Sequence, residues 1–263
     1  MIEFQDVTKV FEEDVVLSKV SFRISRGETK IILGASGSGK STILKLILGL
    51  IRPDWGSIFI EGQDITQMEE REIVQVRKKI GMVFQEGALF DSLSVRENVG
   101  YRLFEENRLS EEEIEVAVRR LLGFVGLADA IEKMPGELSG GMKRRVGIAR
   151  ALVATPRVIL YDEPTAGLDP ITKRHIVELM IKLRDLEGVT SVFVTHDLQA
   201  ACTIATSYAV AEGNGQIRFM QGGDDLCLTN IHFIMLQEGA ICFQGRYEEM
   251  LASSDPYVRS FMT

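Results

Sequence analysis

The sequence is poor in cysteine and has no long apolar run. Its three cysteines are far apart and form no Cys-x-x-Cys pair: Cys202, Cys227 and Cys242. This usage argues against a disulfide framework or a zinc site and favours a reducing compartment. No apolar stretch approaches the roughly 18 to 20 residues needed to cross a bilayer, and the first residues lack a signal-peptide pattern. We therefore expect a chain that neither enters nor crosses a membrane by itself.

The sequence also has fewer basic than acidic residues. The chain has 30 lysines and arginines against 38 acidic residues, which gives a formal net charge of −8. This balance disfavours a general affinity for nucleic acid or anionic lipid head groups, so we expect no nucleic-acid partner. Linkers, low-complexity tracts and internal repeats are absent, and the 45% hydrophobic and 26% charged content is that of a globular protein. The sequence predicts one compact unit.

Short apolar, β-rich runs alternate with helical patterns, which predicts an α/β fold with a largely parallel sheet. The predicted core strands are Lys30–Leu33, Gly81–Phe84, Val158–Tyr161 and Ser191–Val194. Ahead of the first of them, Val15–Ile24 shows strand-like alternation and is expected to be an antiparallel addition to the main sheet. A helical insert is expected over roughly residues 86–155. Within it, Ser110 begins a capping-box pattern, and the acid run Glu111–Glu115 is interpreted as a solvated first turn.

A glycine-rich loop between the first of these core strands and a helix carries a strong chemical signal. Residues 34–41 match G-x-x-x-x-G-K-[ST]. In such a loop the backbone N–H groups point at phosphate oxygens, and the following helix N-terminus adds partial positive charge. Lys40 is expected to neutralise the β- and γ-phosphates, and Ser41 to ligate Mg²⁺. The expected nucleotide-binding residues here are Gly34, Ala35, Ser36, Gly37, Ser38, Gly39, Lys40, Ser41 and Thr42.

Two adjacent carboxylates follow the apolar run 158–161. Asp162 and Glu163 stand at the carboxyl end of this predicted strand, where their burial is costly unless a cation or a substrate receives them. Asp162 is expected to hold Mg²⁺, directly or through water. Glu163 is expected to orient or deprotonate the attacking water.

A second phosphate-binding pattern lies far along the chain from the first. The segment Leu138-Ser139-Gly140-Gly141-Met142 precedes a predicted helix, so Ser139 and two glycines stand at another helix N-terminus. One nucleotide does not need two such loops from one chain. Taken together, the motifs resemble the ATP-binding cassette family, in which the Leu-Ser-Gly-Gly signature of one subunit closes over the nucleotide held by its partner's phosphate loop.

The resemblance covers the chain up to Gly245 and implies a P-loop cassette with a RecA-like lobe, an antiparallel N-terminal β subdomain and an inserted helical lobe. It implies ATP and Mg²⁺ as ligands, ATP hydrolysis as the activity, and a homodimer that sandwiches the nucleotides. Ser139, Gly140, Gly141 and Asp169 would then act on the nucleotide of the opposite subunit. Asp169 matches the loop that crosses the dimer interface, although it is also a good helix N-cap.

Other residues acquire roles only through this resemblance. Phe11 stands where a family aromatic stacks on adenine, and core packing is the alternative. Gln85 matches the glutamine that contacts Mg²⁺ and reports the nucleotide state to a membrane partner. His196 matches the switch histidine that contacts the γ-phosphate. The other two histidines, His175 and His232, are expected to be structural or solvent-facing.

Several segments are more particular than the general family pattern. They are similar to the ATPases of Mla-type phospholipid transporters, which work with a permease and a substrate-binding protein of the mammalian-cell-entry class: residues 84–99, Met134–Glu137, Asp169–Thr172 and Asp255–Phe261. Gly87–Phe90 is apolar and is expected at the surface, as a docking groove for the permease. The alternative is that Leu89 and Phe90 only pack the helical insert. The resemblance implies phospholipid transport at the cytoplasmic face of the inner membrane.

Other readings of the resemblance stay open. A cassette ATPase for another solute would look similar, because the permease chooses the substrate. Soluble cassette proteins of translation or DNA repair carry two cassettes or a long coiled-coil insert, whereas 97 residues without sustained heptads separate Lys40 from Leu138 here. A non-hydrolysing sensor is disfavoured because Lys40, Asp162, Glu163 and His196 are all present.

The expected domain boundaries follow from these motifs. The cassette is placed at 2–245, with the RecA-like lobe at 1–85 and 156–245, the helical lobe at 86–155 and a short tail at 246–263. Compared with the family pattern, the chain carries an insertion of roughly 20 residues at about 208–230, interpreted as a hairpin around Asn214-Gly215. It is either an edge ornament or a contact for a small regulatory subunit.

Overall fold

The computed structural model describes residues 1–213, 216–222 and 230–262. The strands are β1 Ile2–Phe11, β2 Asp14–Ile24, β3 Thr29–Gly34, β4 Trp55–Ile60, β5 Gln63–Asp64, β6 Ile80–Val83, β7 Val158–Asp162, β8 Thr190–Thr195, β9 Ser207–Ala211, β10 Ile217–Gln221, β11 Ile231–Gln237 and β12 Ala240–Gly245. The helices are α1 Lys40–Ile47, α2 Glu70–Arg77, α3 Val95–Glu106, α4 Glu111–Phe124, α5 Gly140–Leu152, α6 Pro170–Glu187, α7 Leu198–Thr206, α8 Tyr247–Leu251 and α9 Pro256–Met262.

A six-stranded sheet in the order β12-β11-β3-β8-β7-β6 forms the centre. Strands β11, β3, β8, β7 and β6 are parallel, and β12 pairs antiparallel with β11. Every residue of β3 and β8 is buried, as expected for strands with both faces covered. The four predicted core strands all lie in this sheet, with ends that differ by at most one residue. The predicted α/β fold with a largely parallel sheet is confirmed.

The N-terminal strands form a sheet of their own. Val15–Ile24 lies in β2 as expected, but β2 belongs to a separate antiparallel sheet in the order β2-β1-β4-β5. The expectation that this segment adds to the main sheet is therefore wrong. Its alternation arises because Leu17 and Ile24 pack with Ile43 of α1 and Ile32 of the central sheet in one core. Alternation reports a buried face and does not specify which sheet the strand joins.

The residues between β6 and β7 form a helical lobe built from α3, α4 and α5. The expected capping box at α4 is present, because the Ser110 hydroxyl accepts from the Glu113 N–H and the Glu113 carboxylate accepts from the Ser110 N–H. Glu111, Glu112 and Glu113 are exposed in the first turn. Glu115 instead lies 2.5 Å from Nε of Arg96 on α3. The solvated first turn is therefore confirmed for the acid run up to Glu113.

A buried asparagine shapes the segment that leads into α3. Asn98 is fully buried, and its Nδ2 donates to the carbonyls of Phe90, Leu93 and Ser94 while its Oδ1 accepts from the Phe90 N–H at 2.8 Å. We expect Asn98→Ala to lower the free energy of unfolding by about 2 to 4 kcal/mol, because it leaves buried main-chain groups unpaired. Urea denaturation measures this loss. The control is Asn107→Gly at the exposed left-handed C-cap of the same helix, and equal losses for both variants would contradict the assignment.

Part of the predicted insertion is visible as a hairpin. β9 and β10 pair antiparallel from Ser207↔Gln221 to Ala211↔Ile217. The predicted turn at Asn214-Gly215 and the later part of the insertion, with Cys227, lie outside the described residues. Of the other cysteines, Cys202 and Cys242 are free thiols. Across the described part of the chain, none of the helices has the length and apolar character needed to span a bilayer.

Candidate active site

The carboxyl ends of β3, β7 and β8 meet at one edge of the central sheet, where open α/β sheets commonly bind ligands. A cleft of about 910 Å³ opens there, large enough for a nucleotide. Its lining combines the glycine-rich loop with side chains from distant segments: Phe11, Val16, Ala35, Ser36, Gly37, Gly39, Lys40, Ser41, Thr42, Gln85, Glu163, His196 and Phe261. Gly34 and Ser38 belong to the same loop and are buried behind it.

The glycine-rich loop connects β3 to α1 and is held tightly against β2. Gly39 adopts a φ of 97°, and a Cβ there would come within 2.7 Å of Leu17 Cδ2 and 2.8 Å of the Val16 carbonyl oxygen. Only glycine satisfies both the backbone conformation and this close approach. The sequence pattern therefore reflects a steric requirement, and the loop enters α1 directly at Lys40.

Lys40 is a buried cation folded onto the loop. Its Nζ donates to the carbonyls of Gly34 at 2.8 Å and Ala35 at 2.9 Å, and it lies 3.7 Å from Oε1 of Glu163. Burial lowers the pKa of the Lys40 ammonium, while the nearby carboxylates of Glu163 and Asp162 oppose this effect. The charge is thus placed where phosphate oxygens can replace the loop carbonyls as its partners.

Ser41 and Asp162 form an oxygen-rich pair beside Lys40. Ser41 donates from Oγ to Oδ1 of Asp162 at 2.9 Å. Burial raises the pKa of Asp162, and the hydrogen bond from Ser41 opposes this effect only in part. Hydroxyl and carboxylate oxygens, with the amide of Gln85 in the same cleft, suit Mg²⁺. Within the described ranges, no three His, Cys, Asp or Glu side chains are grouped so that they could hold a metal ion. The donor set therefore fits Mg²⁺ that keeps substrate and water ligands.

Glu163 is held in position by the end of β8. Its backbone adopts a left-handed φ of 47° directly after β7, a conformation that a non-glycine residue keeps only when its surroundings support it. Oε2 accepts from Thr195 Oγ1 at 3.1 Å and from the His196 N–H at 3.3 Å, and Oε1 lies 2.9 Å from His196 Nδ1. The structure thus brings together Glu163, His196 and Lys40. Thr195 had no predicted role, and its only signal was its place beside His196.

The histidines occupy different environments. The His196 side chain is 60% exposed and lines the cleft. His175 is exposed on α6, and His232 lies 3.1 Å from Glu28 near the amino end of β11. Neither of the latter two lines the cleft, in keeping with their expected structural or solvent-facing positions.

Two aromatic side chains line the cleft from opposite ends of the chain. Phe11 is 42% exposed, and Lys9 Nζ lies 5.1 Å from its ring centroid, so the core-packing alternative for Phe11 is wrong. Phe261 belongs to α9. That helix is held near the phosphate loop by Tyr257, whose hydroxyl accepts from the Ala35 N–H at 3.4 Å. Nothing in the local sequence of α9 indicates this neighbour, because the contact arises from chain segments far apart.

The second phosphate-binding pattern lies outside this cleft. Ser139 is exposed and caps α5, accepting from the Met142 N–H at 3.3 Å. Asp169 is exposed and caps α6 through the N–H groups of Ile171 and Thr172, both at 3.1 Å. Gly140 and Gly141 begin α5 beside Ser139. None of the four residues predicted to serve the opposite subunit lines the cleft of its own chain.

Comparisons with known proteins agree on one family. A family model described as ABC transporter matches residues 17–166. Protein TRIGALACTOSYLDIACYLGLYCEROL 3, chloroplastic, of Arabidopsis thaliana is 41% identical over 273 residues, covering 100% of this chain and 73% of that protein. The intermembrane phospholipid transport system ATP-binding protein MlaF of Haemophilus influenzae is 39% identical, covering 81% of each chain. The methionine import ATP-binding protein MetN of Carboxydothermus hydrogenoformans is 42% identical, covering 76% of this chain and 59% of that one.

A solved structure extends the similarity to the fold. A dimeric ATP-binding cassette in a post-hydrolysis state bound to ADP and Pi superimposes with a TM-score of 0.77 at 32% identity. The match covers 94% of this chain and 98% of that cassette. The predicted cassette architecture, with its antiparallel β subdomain and helical lobe, is thereby confirmed.

Proposed function

This chain belongs to the ABC transporter family of ATP-binding proteins, and on that premise we propose that it drives the movement of phospholipid between membranes. As a member of the family, it is the ATPase subunit of an ABC transporter. It binds ATP together with Mg²⁺ and hydrolyses it. The observation that carries the lipid proposal is the match to the phospholipid transport protein MlaF, which extends over 81% of both chains. The match to the methionine import protein MetN supports the alternative of another solute.

The phosphate loop and the pair Ser41 and Asp162 are proposed to hold ATP with its metal. Lys40 would exchange its bonds to the Gly34 and Ala35 carbonyls for phosphate oxygens, and Phe11 would stack on the base. Mg²⁺ held by Ser41, Asp162 and Gln85 would neutralise charge that develops on the phosphates. The cleft would also hold the phosphates in the orientation that the reaction with water requires.

Glu163 is the proposed general base toward the water that attacks the γ-phosphate. Thr195 and the His196 N–H fix one carboxylate oxygen, and the His196 ring meets the other. This arrangement keeps the carboxylate directed into the cleft, so that it is aligned before substrate binds. The ring of His196 is exposed enough to contact the γ-phosphate as well.

A second copy of the chain is the proposed source of the remaining contacts. Ser139 and Gly140 are exposed at the N-terminus of α5, with the buried Gly141 directly behind them, and the free N–H groups and partial positive charge of this helix end attract an anion. Asp169 caps α6 near this surface, since a Cβ on Gly140 would lie 3.9 Å from Leu168 Cδ2. Because this surface is separate from the cleft, we propose that each chain completes the site of the other only when ATP is bound.

An exposed aromatic patch beside Gln85 is the proposed permease contact. Phe84, Phe90 and Tyr101 are each about two-fifths exposed, and the rings of Phe90 and Tyr101 lie 4.8 Å apart. Leu89, in contrast, is partly buried against the core of the helical lobe. The two sequence-based alternatives therefore divide between neighbouring residues: Leu89 packs the lobe, and Phe90 is available to a partner.

We expect Phe90→Asp to reduce recovery of the permease with this chain by tenfold or more, because it introduces a charge into an apolar contact (about 1.4 kcal/mol per factor of ten). Affinity purification from membranes of the native host, with quantitative mass spectrometry, measures the recovery. The control is Val116→Asp, an exposed apolar position on α4 of the same lobe. Equal recovery with the two variants would exclude the patch as the permease contact.

The same purification with the wild-type chain tests the transport proposal. We expect a permease together with a lipid-binding protein of the mammalian-cell-entry class, and a small regulatory subunit if the hairpin of β9 and β10 recruits one. The chain would then be located at the cytoplasmic face of the inner membrane through its permease. A permease accompanied by a binding protein for another solute would support the alternative, whereas a ribosome or a DNA-break complex would overturn both.

The domain boundaries given above remain part of the proposal. A cassette at 2–245 is proposed to contain the lobe 86–155 as its inserted helical part. Residues 246–263 form a short tail that includes α8 and α9. The placement of Phe261 in the nucleotide cleft connects this tail to the cassette's active site.

A further inference from the structure

Arg144 is a buried cation that joins two loops of the proposed active site. It lies on α5 with 6% exposure. Its Nε donates to the Gln85 carbonyl at 2.5 Å, and its Nη2 donates to the Ala166 carbonyl. Gln85 lines the nucleotide cleft, and Ala166 belongs to the loop that ends at Asp169 and was expected to cross the dimer interface. One guanidinium therefore links both loops to the signature helix.

The surrounding contacts keep these three segments close together. Arg150, six residues further along α5, donates to the carbonyls of Gly87 and Ala88, both at 2.8 Å. A Cβ on Gly87 would come within 2.7 Å of the Lys143 carbonyl oxygen, so the Gln85 loop lies directly on the helix. The Arg150 guanidinium thus donates to the Gln85 loop. The Arg144 guanidinium donates to both the Gln85 loop and the Ala166 loop.

The start of α5 also touches the start of α6. A Cβ on Gly141 would lie 2.3 Å from Thr172 Cγ2, so the signature glycine is in direct contact with the first turn of α6. The start of α5, which is proposed to serve the partner's nucleotide through Ser139, and the start of α6, which follows the loop proposed to face the partner chain, are thus packed against each other. Arg144 follows three residues after Gly141 on the same helix, and its buried guanidinium bonds the Gln85 loop and the Ala166 loop to α5.

We propose that Arg144 is a positioning residue for the two-chain ATPase site. It keeps the Gln85 loop, the Ala166 loop and the N-terminus of α5 in one arrangement, so that nucleotide contact at Gln85 and presentation of Ser139 to the partner chain occur together. This inference rests on the proposed function, because it requires that two copies close over ATP. Arg144 does not line the cleft and is not assigned any contact with ATP.

Lysine cannot replace arginine in this role. A guanidinium offers several N–H donors in a fixed planar fork and can bind two carbonyls that lie in different directions. A lysine ammonium at the end of a flexible chain would retain the charge and one of the two carbonyl contacts. Arg144→Lys is therefore expected to separate the two loops while leaving a cation in the same buried region.

The experiment measures ATP-driven dimerisation in a Glu163→Gln background, in which hydrolysis is blocked. We expect Arg144→Lys to weaken the ATP-bound dimer by about tenfold, the loss of roughly one charge-assisted hydrogen bond. Sedimentation velocity over a series of chain concentrations gives the dimer affinity, and a fluorescent ATP analogue gives nucleotide affinity, which should stay nearly unchanged. In the chain with Glu163 retained, ATPase activity per chain should become strongly dependent on protein concentration.

Arg145→Lys is the matched control. Arg145 is the next residue of α5 and carries the same charge, and within the described part of the chain its guanidinium bonds to the carbonyls of Val125 and Gly126 inside the helical lobe. If Arg144→Lys and Arg145→Lys dimerise equally well, the inference is overturned while the two-chain site stands. If the Glu163→Gln parent itself does not dimerise with ATP, both the two-chain site and this inference are overturned.

A measurement on the parent chain covers the case in which Arg144→Lys does not fold. Hydrogen–deuterium exchange should then show that ATP protects residues 86–88, 166–168 and 140–143 together, since one side chain holds all three segments. Protection confined to one segment would overturn the inference.

Discussion

Glu163→Gln is expected to lower steady-state ATP hydrolysis by about 100-fold to 10,000-fold, the range that a general base contributes. Glutamine keeps the size of the side chain and can still accept from Thr195 and from the His196 N–H, so the loop after β7 should retain its conformation. It cannot take up a proton from the attacking water. The ATP-bound state then persists, and we expect a dimer that is stable in ATP and dissociates when ATP is removed.

Phosphate release and size-exclusion chromatography with and without ATP measure the two parts of this result. Glu178→Gln is the matched control, because it makes the same change at an exposed ion pair with Arg174, away from the cleft. That control should hydrolyse ATP at the wild-type rate. A Glu163→Gln chain that releases phosphate at close to the wild-type rate would refute the role given to Glu163.

Ser139→Arg is expected to abolish turnover while leaving nucleotide binding nearly intact. Ser139 lies outside the cleft of its own chain, so the substitution leaves the phosphate loop, Asp162 and Glu163 untouched. At the exposed start of α5, the long arginine side chain obstructs close approach of a second chain. It also fills the space in which the γ-phosphate bound to that second chain is proposed to lie. It also removes a helix cap, at a cost of about 1 kcal/mol.

The cap loss is separated from the contact loss by Ser110→Arg. Ser110 caps α4 in the same lobe, and its hydroxyl accepts from a main-chain N–H at 3.3 Å, as Ser139 does. We expect the Ser110 variant to lose comparable stability and to keep its ATPase rate. A Ser139→Arg chain with unchanged turnover would argue against a site shared between two copies. Mixing it with a chain that carries Lys40→Ala should restore part of the activity, because one mixed site is then intact.

Much of the site was predictable from short stretches of sequence. The phosphate loop, the Asp162-Glu163 pair and the helix caps at Ser110, Ser139 and Asp169 depend on residues within a few positions of one another. A cap needs one side chain and the N–H groups two or three residues later, and Gly39 is required by its own φ and a close neighbour. Such interactions leave their signature in local sequence, which is why the motifs were visible before the fold was known.

Contacts between distant segments were not predictable in this way. Thr195 holds Glu163 from another strand, and Phe261 enters the cleft from the last helix. Arg144 falls within a helical pattern that indicates only that α5 is a helix. The alternation in β2 indicated a buried face but assigned the strand to the wrong sheet. Each of these contacts depends on which surfaces pack together, and residue order does not specify that choice.

Local sequence thus defines which chemical groups this protein carries and the backbone conformations around them. A glycine's allowed φ, a helix cap and the repeat of apolar residues are all set by interactions over a few residues. Tertiary packing decides which of those groups meet. It brings Lys40, Glu163 and His196 into one cleft, joins two loops through Arg144, and leaves Ser139 on a separate surface. The reason is that hydrophobic burial is non-directional, so an apolar face requires a partner without specifying one, and the shapes of the packed elements make the selection.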